Sequence, residues 1–380
     1  MKKIVMALVI SFVFIFILEG CWDAKEIENQ NYITAFGVDY KNGSMEVFAQ
    51  ILNFESTAKT EGIVSKAKIS VGRGQGTSFI AAMEQISKSS QRREFWGHVY
   101  SIVVTENILR EGKLAEIIDV VTRHRDMRYS KWVFATRESL ANLLSTHTIF
   151  DVSNLNSILS NPQDQYEQFS NERILYMNDL IAELNEPNST VLIPSIQITS
   201  KTWQENKKAI PLLELNGHFI MSGYRYKGWI NQREARMGRW TYRHFKQSNI
   251  TIEQDSKPAT TLMVKRSDYD IRAKVVQGKL RFALSLSLTG ELVQVQQDVP
   301  YDKIEKLVGQ TVKKEIREFY NRGLELHADL LQLGVFLYKK DPKRWRELSV
   351  EGTLPLNPTT LEKIDVHFRI VNGHKYRLRR

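Results

Sequence analysis

Residues Leu280 to Leu288, LRFALSLSL, decide the fold. Phe282, Leu284, Leu286 and Leu288 fall on one side of an extended chain, and Arg281, Ala283, Ser285 and Ser287 on the other. That two-residue period belongs to a sheet covered on one face and wet on the other. The alternation reaches from Ile250 to Val295. Beyond it, Tyr301 to Tyr338 holds the longest helical period in the chain, with Ile304, Leu307, Val308, Val312, Ile316, Phe319, Tyr320, Leu324, Leu330 and Leu331 as its stripe. A helix with such a stripe needs a sheet to lie on. Gly323 and Gly334 are places for a bend, Asp341-Pro342 ends the segment, and Leu361 to Val371 supplies a last strand.

Working back from this block, Lys201 to Ala209 is a charged linker. Before it, Asn31 to Tyr40 and Met45 to Phe54 read as two strands joined across Asn42-Gly43, a strong hairpin signal. Lys68 to Gly72 is a further strand, and Thr77 to Lys88 a helix with Phe79, Ile80, Met83 and Ile86 on one face. Strands at Val99 to Thr105, Trp132 to Thr136 and Val191 to Ile198 alternate with helical material at 106–123, 137–144 and 174–184. Leu212 to Met221 is a strand with a bend or bulge at Asn216-Gly217, and 231–245 is helical and strongly basic. The class is α+β, in two or three modules of mixed or antiparallel sheet with packed helices and a long helix near the C-terminus. The expected division is a leader over 1–20, an N-terminal α+β domain over 21–190, a middle domain over 191–255 and a C-terminal α+β domain over 256–380.

The N-terminus fixes where this material acts. Lys2 and Lys3 precede an apolar run from Ile4 to Leu18, interrupted only by Ser11. Its fifteen residues suit a signal-peptide core and fall short of the roughly 20 that span a bilayer. The run closes on Leu18-Glu19-Gly20-Cys21, a lipobox in which Glu19 departs from the usual small or apolar residue. The alternative is an uncleaved anchor with an incidental thiol. Cys21 is the only cysteine in 380 residues, so no internal disulfide can form, and lipidation is the economical use for it. Trp22 and Asp23, just beyond it, are candidates for contact with the membrane or a partner.

Losing Lys2, Lys3 and Glu19 with the leader takes the net charge from +10 to +9. On a tethered domain that excess favours anionic headgroups or an acidic envelope polymer over nucleic acid. In sequence the charges are scattered, and only His374 to Arg380 is dense.

No known catalytic motif emerges. The glycines of Gly72-Arg73-Gly74-Gln75-Gly76 before a helix lack phosphate-loop spacing and read as a turn into a capped helix. His124-Arg125-Asp126 mimics a kinase loop, but Lys131 stands where that loop needs asparagine. The eight histidines have no metal-ligand spacing, and no cofactor is implied.

Several stretches together resemble one family, the C subunit of spore germinant receptors. They are Cys21 with Trp22-Asp23 and Glu26-Ile27, then Phe36-Gly37-Val38-Asp39, Gly76-Thr77, Gly97-His98, and Arg125-Asp126 with Arg128. Farther along come Gly217, Gly223, Gly228, Glu234 to Trp240, Gly290-Glu291, Ala328-Asp329, Gly334, Pro342 and Trp345. The resemblance implies a three-domain ectodomain, held by lipid on the outer leaflet of the spore inner membrane beside membrane-embedded A and B subunits. It implies a role in assembly or coupling, without enzymatic activity. A solute-binding lipoprotein of an envelope transport system is the rival reading, and it requires a ligand cleft between two lobes.

Overall fold

The computed structural model describes residues 30–52, 69–149, 155 and 157–372. In chain order the first part contains β1 (Gln30–Lys41), β2 (Ser44–Leu52), β3 (Ile69–Gly76), α1 (Phe79–Ser89), β4 (Arg93–Phe95), β5 (Ser101–Thr105), α2 (Glu106–Arg110), α3 (Leu114–Arg123), β6 (Trp132–Thr136) and α4 (Leu140–Ser145). It continues through α5 (Gln163–Gln168), α6 (Met177–Asn185), β7 (Thr190–Thr199), the small hairpin β8 (Gln204–Glu205) and β9 (Lys208–Ala209), β10 (Leu212–Ser222), β11 (Arg225–Asn231) and α7 (Gln232–Met237). The last part holds β12 (Ser248–Gln254), β13 (Lys257–Val276), β14 (Lys279–Val295), α8 (Tyr301–Glu325), α9 (Leu333–Lys340), α10 (Pro342–Leu348) and β15 (Leu361–Asn372).

Two sheets organise these elements. The larger runs β11-β10-β7-β6-β5-β1-β2-β3, with β4 paired to β1, and the smaller runs β12-β13-β14-β15. β1, β5 and β6 are parallel, so their side chains are buried on both faces: Phe36, Ile102 and Val133 in one core, Ala35, Val103 and Phe134 in the other. The smaller sheet keeps the alternation of Leu280 to Leu288. Phe282, Leu284, Leu286 and Leu288 pack under α8, whose Ile304, Val308, Val312, Ile316 and Phe319 are all buried. The class is therefore α+β, with the long helix near the C-terminus.

Within 191–255, β7, β10 and β11 extend the larger sheet and β12 opens the smaller. Several local features differ from the sequence reading. The glycines of 72–76 form no turn. They lie in β3, and a Cβ on Gly74 would collide with the backbone carbonyl of Ala82, so small residues let α1 press onto the strand. The bulge at Gly217 is present, with φ of 137° and a register shift opposite Ser195. The basic segment 231–245 is helical only over α7 and one 3₁₀ turn, Arg239–Thr241. The long stripe breaks after Glu325, and Gly323 stays helical. The stop expected at Asp341-Pro342 is present, since α9 ends at Lys340; Asp341 then caps α10, and proline is tolerated in that first turn because its missing N–H has no helical partner there.

Candidate functional site

Cys21, Trp22 and Asp23 lie outside the described residues, as does the basic tail from His374. Among the described residues no group of three or more His, Cys, Asp or Glu side chains could hold a metal ion. No described helix is long and apolar enough to cross a membrane. What the fold does assemble is two polar constellations, one at the carboxyl ends of the parallel strands and one at the seam between the sheets.

The sheet order turns at β1 and β5. β1 continues to β2 and β3 on one side, and β5 continues to β6 on the other. The carboxyl ends beside such a switch point collect polar groups. Asp39, at the end of β1, is buried and accepts from Thr105 Oγ1, from Asn107 Nδ2 at 3.0 Å and from the Tyr40 N–H at 2.8 Å, with Lys41 Nζ 2.9 Å away. Burial works to raise its pKa, but hydrogen bonds from Thr105, Lys41 and Asn107 outweigh burial and hold it below the usual range.

Next to it, Glu106 takes two bonds from Arg137, at 2.8 and 3.0 Å, one from Arg110 at 2.8 Å and one from the Tyr226 hydroxyl at 2.6 Å. Burial again opposes ionisation, yet Arg137, Tyr226 and Arg110 bring Glu106 down to about 2. The Arg137 guanidinium also lies 4.6 Å from the Trp229 ring centroid, so this pair is packed as well as charged. With its acceptors and donors so fully engaged, the cluster is suited to holding β1, β5, β6 and β11 together.

The seam is built differently. Asn188 and Thr190, at the start of β7, face the loop between α8 and α9. The Asp329 N–H donates to Thr190 Oγ1 at 3.0 Å, Thr190 N–H donates to Gln332 Oε1 at 3.2 Å, and Gln332 Nε2 donates back to the Thr190 carbonyl. The Asp329 carboxylate accepts from the Gly334 N–H at 2.6 Å at the start of α9. Desolvation dominates here, and Asp329 is pushed up to about 6 despite its backbone donors. Farther along the seam Glu172 is likewise raised by burial, to about 7, although Gln232, Arg236 and Arg239 pull the other way. His218 Nε2 is 3.1 Å from the Arg173 N–H, and burial takes the imidazole down to about 3, leaving it neutral.

A cleft of about 650 Å³ opens along this seam. Trp132, Tyr176 and the Arg173–Glu183 pair line it from the larger sheet. Tyr242, Leu331 and Lys339 line it from the other side. Trp132 and Tyr176 stack with centroids 3.6 Å apart. Lys339 spans to Glu186 at 3.1 Å. The seam therefore ties the start of β7 to the loop between α8 and α9.

The resemblance motifs pointed at Asp39, Asp329 and Gly334. Glu106, Arg137, Tyr226, Asn188 and Gln332 carried no sequence signal, since, apart from Arg110 beside Glu106, the partners that define these sites are distant in sequence, 31 residues away for the Glu106–Arg137 pair and 166 for Asn188 and Leu354.

The described residues thus form a two-sheet α+β chain with buried polar networks at its strand ends and at its seam. Comparison with known proteins gives the family. Residues 23–198 match the family described as spore germination protein N-terminal domain. Residues 216–372 match the one described as spore germination B3/GerAC like, C-terminal. The chain belongs to this spore germination family. It is 22% identical to spore germination protein KC of Bacillus subtilis (strain 168) over 361 residues, covering 90% of this chain and 88% of the relative. It is 18% identical to spore germination protein B3 of the same organism, covering 96% of both. Its fold is similar to the crystal structure of the GerBC protein, with a TM-score of 0.53 and 15% identity, covering 89% of this chain and 97% of that one.

Proposed function

We propose that this chain is the lipid-anchored C subunit of a spore nutrient germinant receptor and acts in assembly and coupling, not in catalysis. The observation that carries this reading is the family match, which begins at residue 23, two positions after the lipobox cysteine, and continues to residue 372. Cys21 carries diacylglycerol on its sulfur and an acyl group on its amine. At about 0.8 kcal/mol per buried CH₂, two or more chains give near-permanent attachment. The ectodomain stands on the outer leaflet of the spore inner membrane beside the A and B subunits. The seam between the two sheets passes displacement between neighbours.

A solute-binding role gains one supporting feature, the seam cleft. Two of its wall charges, Arg173 and Lys339, are already paired with Glu183 and Glu186 and so are engaged within the seam itself. Calorimetry of the chain with amino acids and sugars separates the two, since coupling predicts no heat of binding. The anchor is tested by Cys21→Ala: acyl label disappears and the protein leaves the spore membrane fraction. Unchanged labelling and fractionation contradict the anchor.

A further inference from the structure

The amino ends of the parallel strands form an edge that the proposed function does not use. β1 begins there at Gln30, which pairs with Arg93 of β4. β5 and β6 start beside it, and α1 and α3 both end there, at Ser89 and Arg123. Two loops, 88–93 and 124–131, therefore lie at one edge. They expose Lys88, Arg92, Arg93, Arg125 and Arg128, against Asp126 as their single carboxylate, with the Tyr129 ring 50% exposed among them.

Helix dipoles account for Lys88 and Arg123, which sit in last turns. They do not account for Arg92, Arg93, Arg125 and Arg128, which lie beyond the helices. Arg93, Arg125 and Arg128 make no ion pair with a described carboxylate. At and beside the carboxyl ends of the same strands the cations are paired: Lys41 with Asp39, Arg110 and Arg137 with Glu106, and Arg73 of β3 with Glu46, which stands opposite Asp39. The charges that look scattered in sequence are thus sorted by the fold, neutralised at one end, with Arg93, Arg125 and Arg128 left without an ion pair to a described carboxylate at the other.

The chain's path from the anchor reaches the open end. Gln30 follows Cys21 by nine positions, and a fully extended segment of that length spans about 30 Å. The tether thus keeps the amino edge within that distance of the lipid, and a tyrosine among cations is the composition of a membrane-interface contact.

We propose that this edge docks on the anionic phospholipid headgroups of the leaflet that holds Cys21, so that the ectodomain sits on the membrane by its amino edge. This rests on the anchored reading above. Contact of this kind weakens with salt, because the screening length is about 8 Å at physiological ionic strength.

The test uses the full lipidated chain carrying Tyr129→Cys, whose thiol is the only one open to a polarity-sensitive dye once Cys21 is acylated. The same label at Ile80→Cys, in the exposed first turn of α1 at the opposite edge, is the reference. Both are placed on phosphatidylcholine vesicles with and without phosphatidylglycerol. Quenching by a headgroup-bound quencher should rise several-fold at 129 when phosphatidylglycerol is present, fall back in high salt and stay flat at 80. The combined variant R92E/R93E/R125E/R128E should abolish the rise, and the salt series on the chain without those four changes needs no charge reversal. Equal quenching at 129 on both lipids overturns the proposal. So does a charge reversal that spares lipid contact but removes co-purifying proteins. Failure of the chain to stay on vesicles of either composition strikes the anchor instead and is read separately.

Discussion

Glu106 and Asp329 are both carboxylates at the junction of secondary-structure elements, and their environments drive them in opposite directions. Glu106 meets two guanidiniums and a phenol and falls to about 2, whereas Asp329 is buried among neutral donors, backbone N–H groups and the Asn188 amide, and rises to about 6. Burial penalises both; what differs is whether a full positive charge stands opposite. The larger sheet is consequently pinned at its strand ends by groups that want to be ionised. The seam is closed by groups, Asp329 and Glu172, that bear their charge at a cost.

The pH dependence of the two regions therefore has opposite sign. Glu106 has a depressed pKa, so its contribution is complete above about 4.5 and is lost as pH falls through about 2. Asp329 has a raised pKa, so its contribution is complete below about 4 and is lost as pH rises through about 6. The seam loosens toward neutral pH while the strand ends hold.

Substitutions can break this contrast. The largest effect is expected from Arg137→Ala, which strips Glu106 of its two-pronged partner and Trp229 of its packed guanidinium. About 2 kcal/mol of stability should be lost at pH 7 and much less near pH 2, read by urea unfolding at the two pH values. An equal loss at both would mean that packing alone supports the site. Asp329→Asn keeps an acceptor for the Gly334 N–H but removes the titration. The decline in stability between pH 4 and 6, of the order of 2 kcal/mol for this group, should flatten, and an unaltered slope would assign it elsewhere. The smallest effect belongs to Arg110→Ala, whose exposed i,i+4 bond to Glu106 is worth about 0.5 kcal/mol. A loss several times larger would show that Arg110 supports the cluster through Tyr226.

Much of the fold is legible because its cores follow simple periods. Leu280 to Leu288 and Ile304 to Phe319 announce sheet and helix separately, and the match of their buried faces follows. The glycines of 72–76 mislead because glycine marks turns in sequence, whereas here its missing side chain admits a helix. Asp341-Pro342 is legible as the stop of α9, but its second use, opening α10, is not. The candidate sites are legible only in part. Asp39 and Asp329 stand in recognisable stretches, but an ion pair between Glu106 and Arg137, or a seam between Thr190 and Gln332, exists only once strands and loops are placed. The basic amino edge is likewise invisible in sequence, being the sum of loops that the parallel strands bring together.

Affinity capture of this chain from detergent-solubilised spore membranes tests the subunit assignment most directly. Recovery together with two multi-pass membrane proteins, the A and B subunits, is the predicted result. Recovery of the chain by itself, or its presence in the soluble fraction before detergent is added, contradicts that assignment.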